Sequence, residues 1–443
     1  MLNIETGKTW KKLALIAECA KRNSEFQFQT LAYLLDKEFL KDCFYKLNRN
    51  KAVGIDNVTW ADYNEELEEN LDNLITRLKR KSFKPIPAKR VYIPKNEKEK
   101  RPLGISALEN KIVEKGMKYI LEAIYEQDFY DFSYGFRPKK SCHQALNKID
   151  KLIMSRPVNH VVEADIRKFF DKVSHEELIK FIRIRIRDTS LLILIEKFLK
   201  AGYIDDGLLV RTEEGTPQGS ILSPILANIF LHYVLDEWFE KVVKENVEGF
   251  CELVRYADDF ICVTQKAEDA KRIEKALKNR FNKYGLETHP TKSRRISFGR
   301  YERENAEKQN RKPNTFDFLG FTHYCDKTRK RKFKLGRKTS RKKFVTKCKE
   351  MNLWLKKIRN KEKTKEWWKT LRAKLRGHFQ YYGVSGNFRE IAKYYKITMR
   401  LLHKWLNRRS QKRKKNWENF NRYLTHYPLP CPQIRHNFYT LSA

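Results

Sequence analysis

Acidic residues are scarce in this chain of 443 residues: 55 Asp and Glu stand against 94 Lys and Arg, a net charge of +39. Such a surface repels cationic partners and favours polyanions, nucleic acid before anionic membrane. No Cys-x-x-Cys pair occurs among Cys19, Cys43, Cys142, Cys251, Cys262, Cys325, Cys348 and Cys431. That argues against a zinc ribbon or finger and leaves reduced thiols as the expectation. No apolar run is long enough to span a bilayer, and Met1–Lys12 lacks the layout of a signal peptide. Glu5, Glu18 and Glu25 interrupt any transit-peptide pattern. The expected location is cytoplasmic, in a bacterium rather than an organelle. With 41% hydrophobic residues the chain is no disordered polycation, and its length admits two or three domains.

The charge is unevenly placed. Residues 326–443 hold 36 Lys and Arg and 6 Asp and Glu. The back quarter is therefore the main electrostatic grip, and the front carries the acids that chemistry needs. Within the back quarter, Lys327–Lys347 is a dense basic stretch. Trp367, Trp368, Leu371, Leu375, Phe379 and Tyr382 then recur at helical steps, as do Phe388, Ile391, Tyr394, Tyr395, Leu402 and Trp405. With a helix around Val345–Ile358 these predict three packed helices. Their periodic aromatics read as core rather than stacking platforms, and the interleaved Lys and Arg face outward toward nucleic acid.

The front of the chain turns on Leu253-Val254-Arg255-Tyr256-Ala257-Asp258-Asp259-Phe260-Ile261-Cys262-Val263. Apolar and β-branched residues flank two adjacent acids, which predicts strand, tight turn and strand with both carboxylates at the tip. Side by side they repel unless a cation lies between them, and oxygen ligands suit Mg²⁺. Upstream, Val161-Val162-Glu163-Ala164-Asp165-Ile166 is a short apolar run ending near a further acid. One acid at a strand end and a pair on a neighbouring hairpin is what a two-metal phosphoryl-transfer site needs, with cations about 4 Å apart. An isolated Asp-Asp pair would read as a surface turn; the upstream acid shifts the balance. From Val161 to Phe298 the order is strand, helix, insertion, hairpin, helix, strand, the split β-α-β-β-α-β layout of an α+β domain. Ser174 with Glu177 predicts a capping box, and Ser223-Pro224 predicts a helix with Ser as cap and Pro first.

Tyr256-Ala257-Asp258-Asp259 resembles the YxDD box of reverse transcriptases. Gly215-Thr216-Pro217-Gln218-Gly219-Ser220-Ile221-Leu222-Ser223-Pro224 and Ser133-Tyr134-Gly135-Phe136-Arg137-Pro138 narrow the likeness to the reverse transcriptase/maturases of group II introns. It runs from about Asn50 to about Tyr427. Asn57 departs from it, standing where the family often has Gly. The resemblance implies a right-hand polymerase: an N-terminal helical extension (1–50), fingers (51–160), a palm of ferredoxin-like type (161–325), a helical thumb or maturase region (326–406) and a basic tail (407–443). Leu375-Arg376-Gly377-His378-Phe379-Gln380-Tyr381-Tyr382-Gly383 resembles the maturase region. No His-Asn-His module with paired cysteines follows, so no endonuclease activity is expected.

The resemblance also implies roles. Asp165, Asp258 and Asp259 would be catalytic, with Ile166 beside them at the metals. Two Mg²⁺ ions are implied, with Mn²⁺ as a substitute. Lys95 and Arg101, on a basic hairpin, would hold a triphosphate, for which one point charge and one forked donor are suited; a solvated hairpin is the alternative. Backbone after Asp165 (Ile166, Arg167, Lys168, Phe169) would add amide donors, and Gln218 would meet the nucleotide's sugar and base. Phe170 would exclude a 2′-hydroxyl by clash, although one of Phe169 and Phe170 must face the core. Lys292 would protonate pyrophosphate or only neutralise it. Arg137, Tyr256 and Ala257 would touch primer or template, Arg137 serving equally well in a structural salt bridge. Phe318, Leu319 and Gly320 resemble the primer grip. The implied partners are an RNA template, intron RNA, a DNA primer or target and deoxynucleoside triphosphates. A relative recruited to defence, diversity generation or repair is the alternative, as is a non-catalytic splicing factor, against which the intact aspartates weigh.

Overall fold

The computed structural model describes residues 7–94, 99–289, 293–409 and 416–439. Contacts divide the chain into two compact units. One comprises Met1–Ala145, Val162–Cys262 and Glu268–Arg294; the other comprises Leu146–Val161, Val263–Ala267 and Arg295–Ala443. No helix among the described residues is long and apolar enough to cross a membrane.

The first unit is built around the helix Leu108–Tyr125, whose Ile112, Val113, Met117, Ile120, Leu121 and Ile124 are all buried. Helices Lys8–Arg22 and Lys37–Tyr45 pack against it. Between those two, the spacing of Phe28, Leu31, Leu34 and Leu35 predicts a helix, and the structure differs. These residues are buried on an irregular segment with one short 3₁₀ turn, Ala32–Leu34. The carboxylate of Asp188 accepts from the amides of Leu31 (2.6 Å) and Ala32 (2.7 Å), while also capping the helix Thr189–Lys200. A distant acid thus satisfies backbone groups that a helix would have satisfied internally. Residues 62–82 read from the sequence as one helix, and the structure has two, Trp60–Glu65 and Leu67–Lys79, separated at Glu66.

Ala88–Pro94 (β1) and Lys100–Ile105 (β2) form the expected antiparallel hairpin, with Ile93 opposite Arg101. His160–Ala164 (β3) opens the palm. Tyr203–Asp205 (β4) and Leu208–Val210 (β5) then extend the hairpin sheet to the order β2-β1-β4-β5. Cys251–Tyr256 (β6), Asp259–Thr264 (β7) and Arg294–Ser297 (β8) join β3 in the order β6-β7-β3-β8. With the helix Ala267–Lys283 between β7 and β8, this is the split β-α-β-β-α-β palm expected of an α+β polymerase. Ser174 caps its helix through Glu177 N. Ser223 does not cap: Leu222 holds the cap position, Ser223 and Pro224 are the first two helical residues, and the Ser223 hydroxyl donates to Pro217 O (2.8 Å). The polar side chain is used to fasten the preceding loop.

The second unit pairs Thr315–Phe318 (β9), Phe321–Lys327 (β10) and Phe333–Thr339 (β11) in the order β11-β10-β9. Leu319 (φ 49°) and Gly320 (φ 79°) form the two-residue turn between β9 and β10, the left-handed geometry that suits a twisted hairpin. Tyr381 Oη donates to Leu319 O (3.0 Å). Helices Arg341–Ile358, Thr364–Tyr382 and Phe388–Asn407 follow as the expected three. Trp367, Leu371, Leu375, Phe379, Ile391, Tyr394, Leu402 and Trp405 are buried, so the aromatic stripes are core; Phe388, at a helix start, is exposed. Asn387 clasps this core, accepting from Thr339 N (2.7 Å) and donating to Tyr382 O (2.8 Å). The tail is not a loose polycation throughout. It forms the helix Trp417–His426, and Arg435 N donates to Gly383 O (2.6 Å).

Candidate active site

The acid pair lies at the β6–β7 turn. Ala257 takes a left-handed φ of 57° there, Asp258 is half-buried and Asp259 is exposed. The turn is anchored from beneath by Arg255, whose side chain is fully buried. Arg255 Nε donates to Asp236 Oδ1 (2.7 Å), and Nη2 to Asp236 Oδ2. Nη1 donates to Asn228 Oδ1 (3.0 Å) and to Ala257 O (3.1 Å), inside the turn itself. Burial raises the Asp236 carboxyl from its ordinary range, against the pull of Arg255. A forked guanidinium thus joins a carboxylate, an amide and a turn carbonyl, which a lysine could not do.

Asp165 follows β3 directly and is half-buried. Asn159 N donates to Thr264 O (2.9 Å), so the start of β3 lies against the end of β7 and the two strands are antiparallel. Asp165 is the first residue after β3 and Asp258 the last before β7, so both acids lie at the same end of this strand pair. The backbone of Asp165 is fixed on its other side, where its carbonyl accepts from His289 N (2.7 Å). Glu163, on the same strand face, is paired with Arg294 and so is committed elsewhere. All three candidate ligands are hard oxygen donors, the set suited to Mg²⁺. Among the described residues, no group of three or more His, Cys, Asp or Glu is gathered closely enough to hold a metal ion. Asp165 and Asp258 are half-buried there, and Asp259 is exposed.

The residues expected around a nucleotide are connected. Arg101 Nε donates to Gln218 Oε1 (3.1 Å), and Gln218 Nε2 donates to Asp171 Oδ1 (3.4 Å). Gln218 therefore has its amide orientation set from both ends, by a hairpin cation and by an acid that sequence reasoning passed over. Gly104 N donates to Gln218 O (2.6 Å). A Cβ on Gly219 (φ 116°) would stand 2.3 Å from Gly104 O, so this approach requires glycine. Phe169 is buried and Phe170 half-buried, which assigns the inward ring to Phe169. Phe170 O accepts from Thr216 N (2.7 Å), fixing it to the Gln218 loop. Of the expected amide donors, that of Arg167 is already bonded to Glu287 O (2.8 Å), and Ile166 is buried in a bridge with Thr288. Lys168 has a left-handed φ of 48° and is exposed. Lys95 and Lys292 lie outside the described residues.

Glu114 was also missed by sequence reasoning. It is fully enclosed, accepts from Ile221 N (2.8 Å) and Ser106 Oγ (3.0 Å), and fastens the loop after Gln218 to the helix Leu108–Tyr125. Burial pushes its carboxyl up to about 7. Arg137 faces inward, bonded to Glu126 and to the carbonyls of Tyr130 (2.7 Å) and Ser133 (2.8 Å). The structural salt bridge is the geometry it adopts. Its loop is pressed onto the acid turn: Tyr134 N donates to Arg255 O (2.8 Å), and a Cβ on Gly135 would stand 2.2 Å from Ala257 N. Tyr256 is half-buried and Ala257 buried at that contact. Phe318, Leu319 and Gly320 form the β9–β10 turn of the other unit.

The family model described as reverse transcriptase (RNA-dependent DNA polymerase) matches residues 93–323, more than half the chain. The chain belongs to the reverse transcriptase family. Among relatives of this reverse transcriptase, the group II intron-encoded protein LtrA of Lactococcus lactis subsp. cremoris is 39% identical over 222 residues, 50% of this chain and 37% of LtrA. Protein YkfC of Escherichia coli (strain K12) is 35% identical over 243 residues, 48% of this chain and 63% of YkfC. An uncharacterized 91 kDa protein in the cob intron of Schizosaccharomyces pombe is 35% identical over 246 residues, 54% of this chain and 30% of that protein. The matches thus span just over a third of LtrA and less than two thirds of YkfC.

Proposed function

We propose that this chain is an RNA-directed DNA polymerase of group II intron type. It extends a DNA primer on an RNA template and binds intron RNA to assist splicing and retrohoming. What supports this reading is the pairing of β3 with β7, since Asp165 directly follows the one strand and Asp258 directly precedes the other. In the reaction the primer 3′-oxygen attacks the α-phosphorus of a deoxynucleoside triphosphate, and the bond to pyrophosphate breaks. Asp165, Asp258 and Asp259 would hold divalent cations. Such cations supply a lowered pKa for the attacking hydroxyl and neutralise the phosphates. Arg101, held beside Gln218, meets the triphosphate, with Lys95 on the same hairpin. Gln218 orients the sugar and base, and Phe170 excludes a 2′-hydroxyl. Lys292 neutralises or protonates the departing pyrophosphate.

The experiment is primer extension on an RNA template with Mg²⁺ and deoxynucleotides, wild type against Asp258→Asn. Wild-type extension, abolished in the variant with RNA binding kept, is the expected result. A wild-type protein that binds RNA without extending the primer would leave only the splicing role.

A further inference from the structure

Arg101 and Gln218 stand on separate segments, the one on β2 and the other on the loop that leads into the helix at Ser223. The loop is closed on itself, since Ser220 N and the Ser223 hydroxyl (2.8 Å) both donate to Pro217 O. It meets β2 at Gly104 N, which donates to Gln218 O (2.6 Å). A third element holds both segments. Glu114 is buried on the helix Leu108–Tyr125. One of its carboxyl oxygens accepts from Ile221 N (2.8 Å), beyond Gln218 on the loop. The other accepts from the hydroxyl of Ser106 (3.0 Å), the residue that follows β2. Burial raises this carboxyl, and hydrogen bonds from Ile221 N and from the hydroxyls of Ser106 and Ser220 work against that rise.

We propose that Glu114 is a positioning residue of the nucleotide site: by clasping the Ile221 amide and the Ser106 hydroxyl it sets the spacing between Gln218 and Arg101. This rests on the polymerase reading above. A carboxyl enclosed in a core is costly, and an apolar side chain of the same size would fill the space more cheaply. What an apolar side chain cannot supply is two acceptors at a fixed angle, each aimed at a different segment. The helix that carries them is firmly seated, with Ile112, Val113 and Met117 buried on either side of Glu114. The spacing it sets is the one across which Arg101 Nε donates to Gln218 Oε1 (3.1 Å). Glu114 itself touches no reacting atom and acts through these two side chains. A slack clasp would let the hairpin and the loop drift apart and weaken capture of the nucleotide. The strands that carry Asp165 and Asp258 would stay as they are, so the loss belongs to binding rather than to the chemical step.

The test is incorporation of a single deoxynucleotide by the full chain on an RNA template annealed to a DNA primer, with KM and kcat read separately. Titration of the same nucleotide onto a chain-terminated primer reads its affinity without chemistry. Glu114→Met keeps the volume and loses both bonds. The expected result is a rise of about tenfold in KM and in the nucleotide dissociation constant, with kcat within about twofold of wild type. Glu114→Gln, which can accept from Ile221 N and donate to the Ser106 oxygen, should return both to wild-type values. Leu71→Ala, which opens a cavity on the buried face of Leu67–Lys79, should lower the melting temperature at least as far as Glu114→Met and leave KM in place. An unchanged KM in Glu114→Met would overturn the proposal, as would an equal rise in Glu114→Gln or in Leu71→Ala. A wild type that takes up the nucleotide on the terminated primer but extends no primer would strike the polymerase reading alone, and the titration would still read Glu114. A wild type that does neither would overturn both.

Discussion

The guanidinium of Arg255 and the carboxylate of Asp236 are both fully buried and joined by two hydrogen bonds, and that same guanidinium reaches Ala257 O in the acid turn. A buried pair of this kind adds little net stability over apolar residues, but breaking it is costly. Here it links the helical segment carrying Asp236 to the residue between Tyr256 and Asp258.

Asp236→Ala leaves a buried cation unpaired, so unfolding in urea should show a loss of about 3–5 kcal/mol. The double variant Asp236→Leu with Arg255→Met should recover much of that stability without recovering extension, because the bond to Ala257 O is gone. A loss below about 1 kcal/mol for Asp236→Ala would show that the pair is not buried as described.

Phe170→Ala should raise incorporation of ribonucleotides relative to deoxynucleotides by at least about tenfold, the scale of one lost steric contact. Phe169→Ala should instead destabilise the fold by about 3–5 kcal/mol, since it is the inward ring. Single-nucleotide insertion and urea unfolding on both variants check the division. An unchanged sugar preference in Phe170→Ala would remove its assigned role.

The contrast between Phe169 and Phe170 marks how far the sequence carries. Strand runs, the acid hairpin, the aromatic stripes and the β3-to-β8 order were legible because each repeats at the period of its own secondary structure. The neighbours Phe169 and Phe170 were not separable, because the local turn decides which ring faces in. Asp188 reaches Leu31 and Ala32 across more than a hundred residues, so no local pattern announces it. Glu114 and Asp236 were passed over because a charged residue on a helix is usually solvated. Arg255 did leave a signal: a lone cation inside the apolar run Leu253–Val263 demands a buried partner. Asn228 and Asp171 left none, being ordinary polar residues until the chain folds.

The Glu114 carboxyl, raised to about 7, makes stability depend on pH. The unfolded chain gives up this proton near 4.5 and the folded chain only near 7. Stability from the protonated group is therefore complete below 4.5, falls as pH rises through 7, and is level above; the span is up to about 3 kcal/mol. Glu114→Gln stays neutral throughout. Its oxygen can accept from Ile221 N, and the Ser106 hydroxyl can turn to accept from its amide. Urea midpoints between pH 4.5 and 8 should fall in the wild type more steeply than in the variant. Parallel profiles would mean that Glu114 is not enclosed.

The last expectation concerns the charge gathered in the second unit. Cutting the chain at Asp326 would sever β10 and its ladder with β11, so truncation would remove the fold along with the charge. Substitution avoids that. Lys369 and Arg376 on Thr364–Tyr382, and Lys396 and Arg400 on Phe388–Asn407, are exposed and carry no part of the aromatic core. Each Lys or Arg that meets a phosphate releases counterions, steepening the decline of log affinity with log salt by about 0.7–0.9. Changing all four to Gln should therefore lower that slope by about three, weaken binding most at low salt, and leave the melting temperature in place. A slope equal to that of the wild type would show that these helices turn a different face to the RNA.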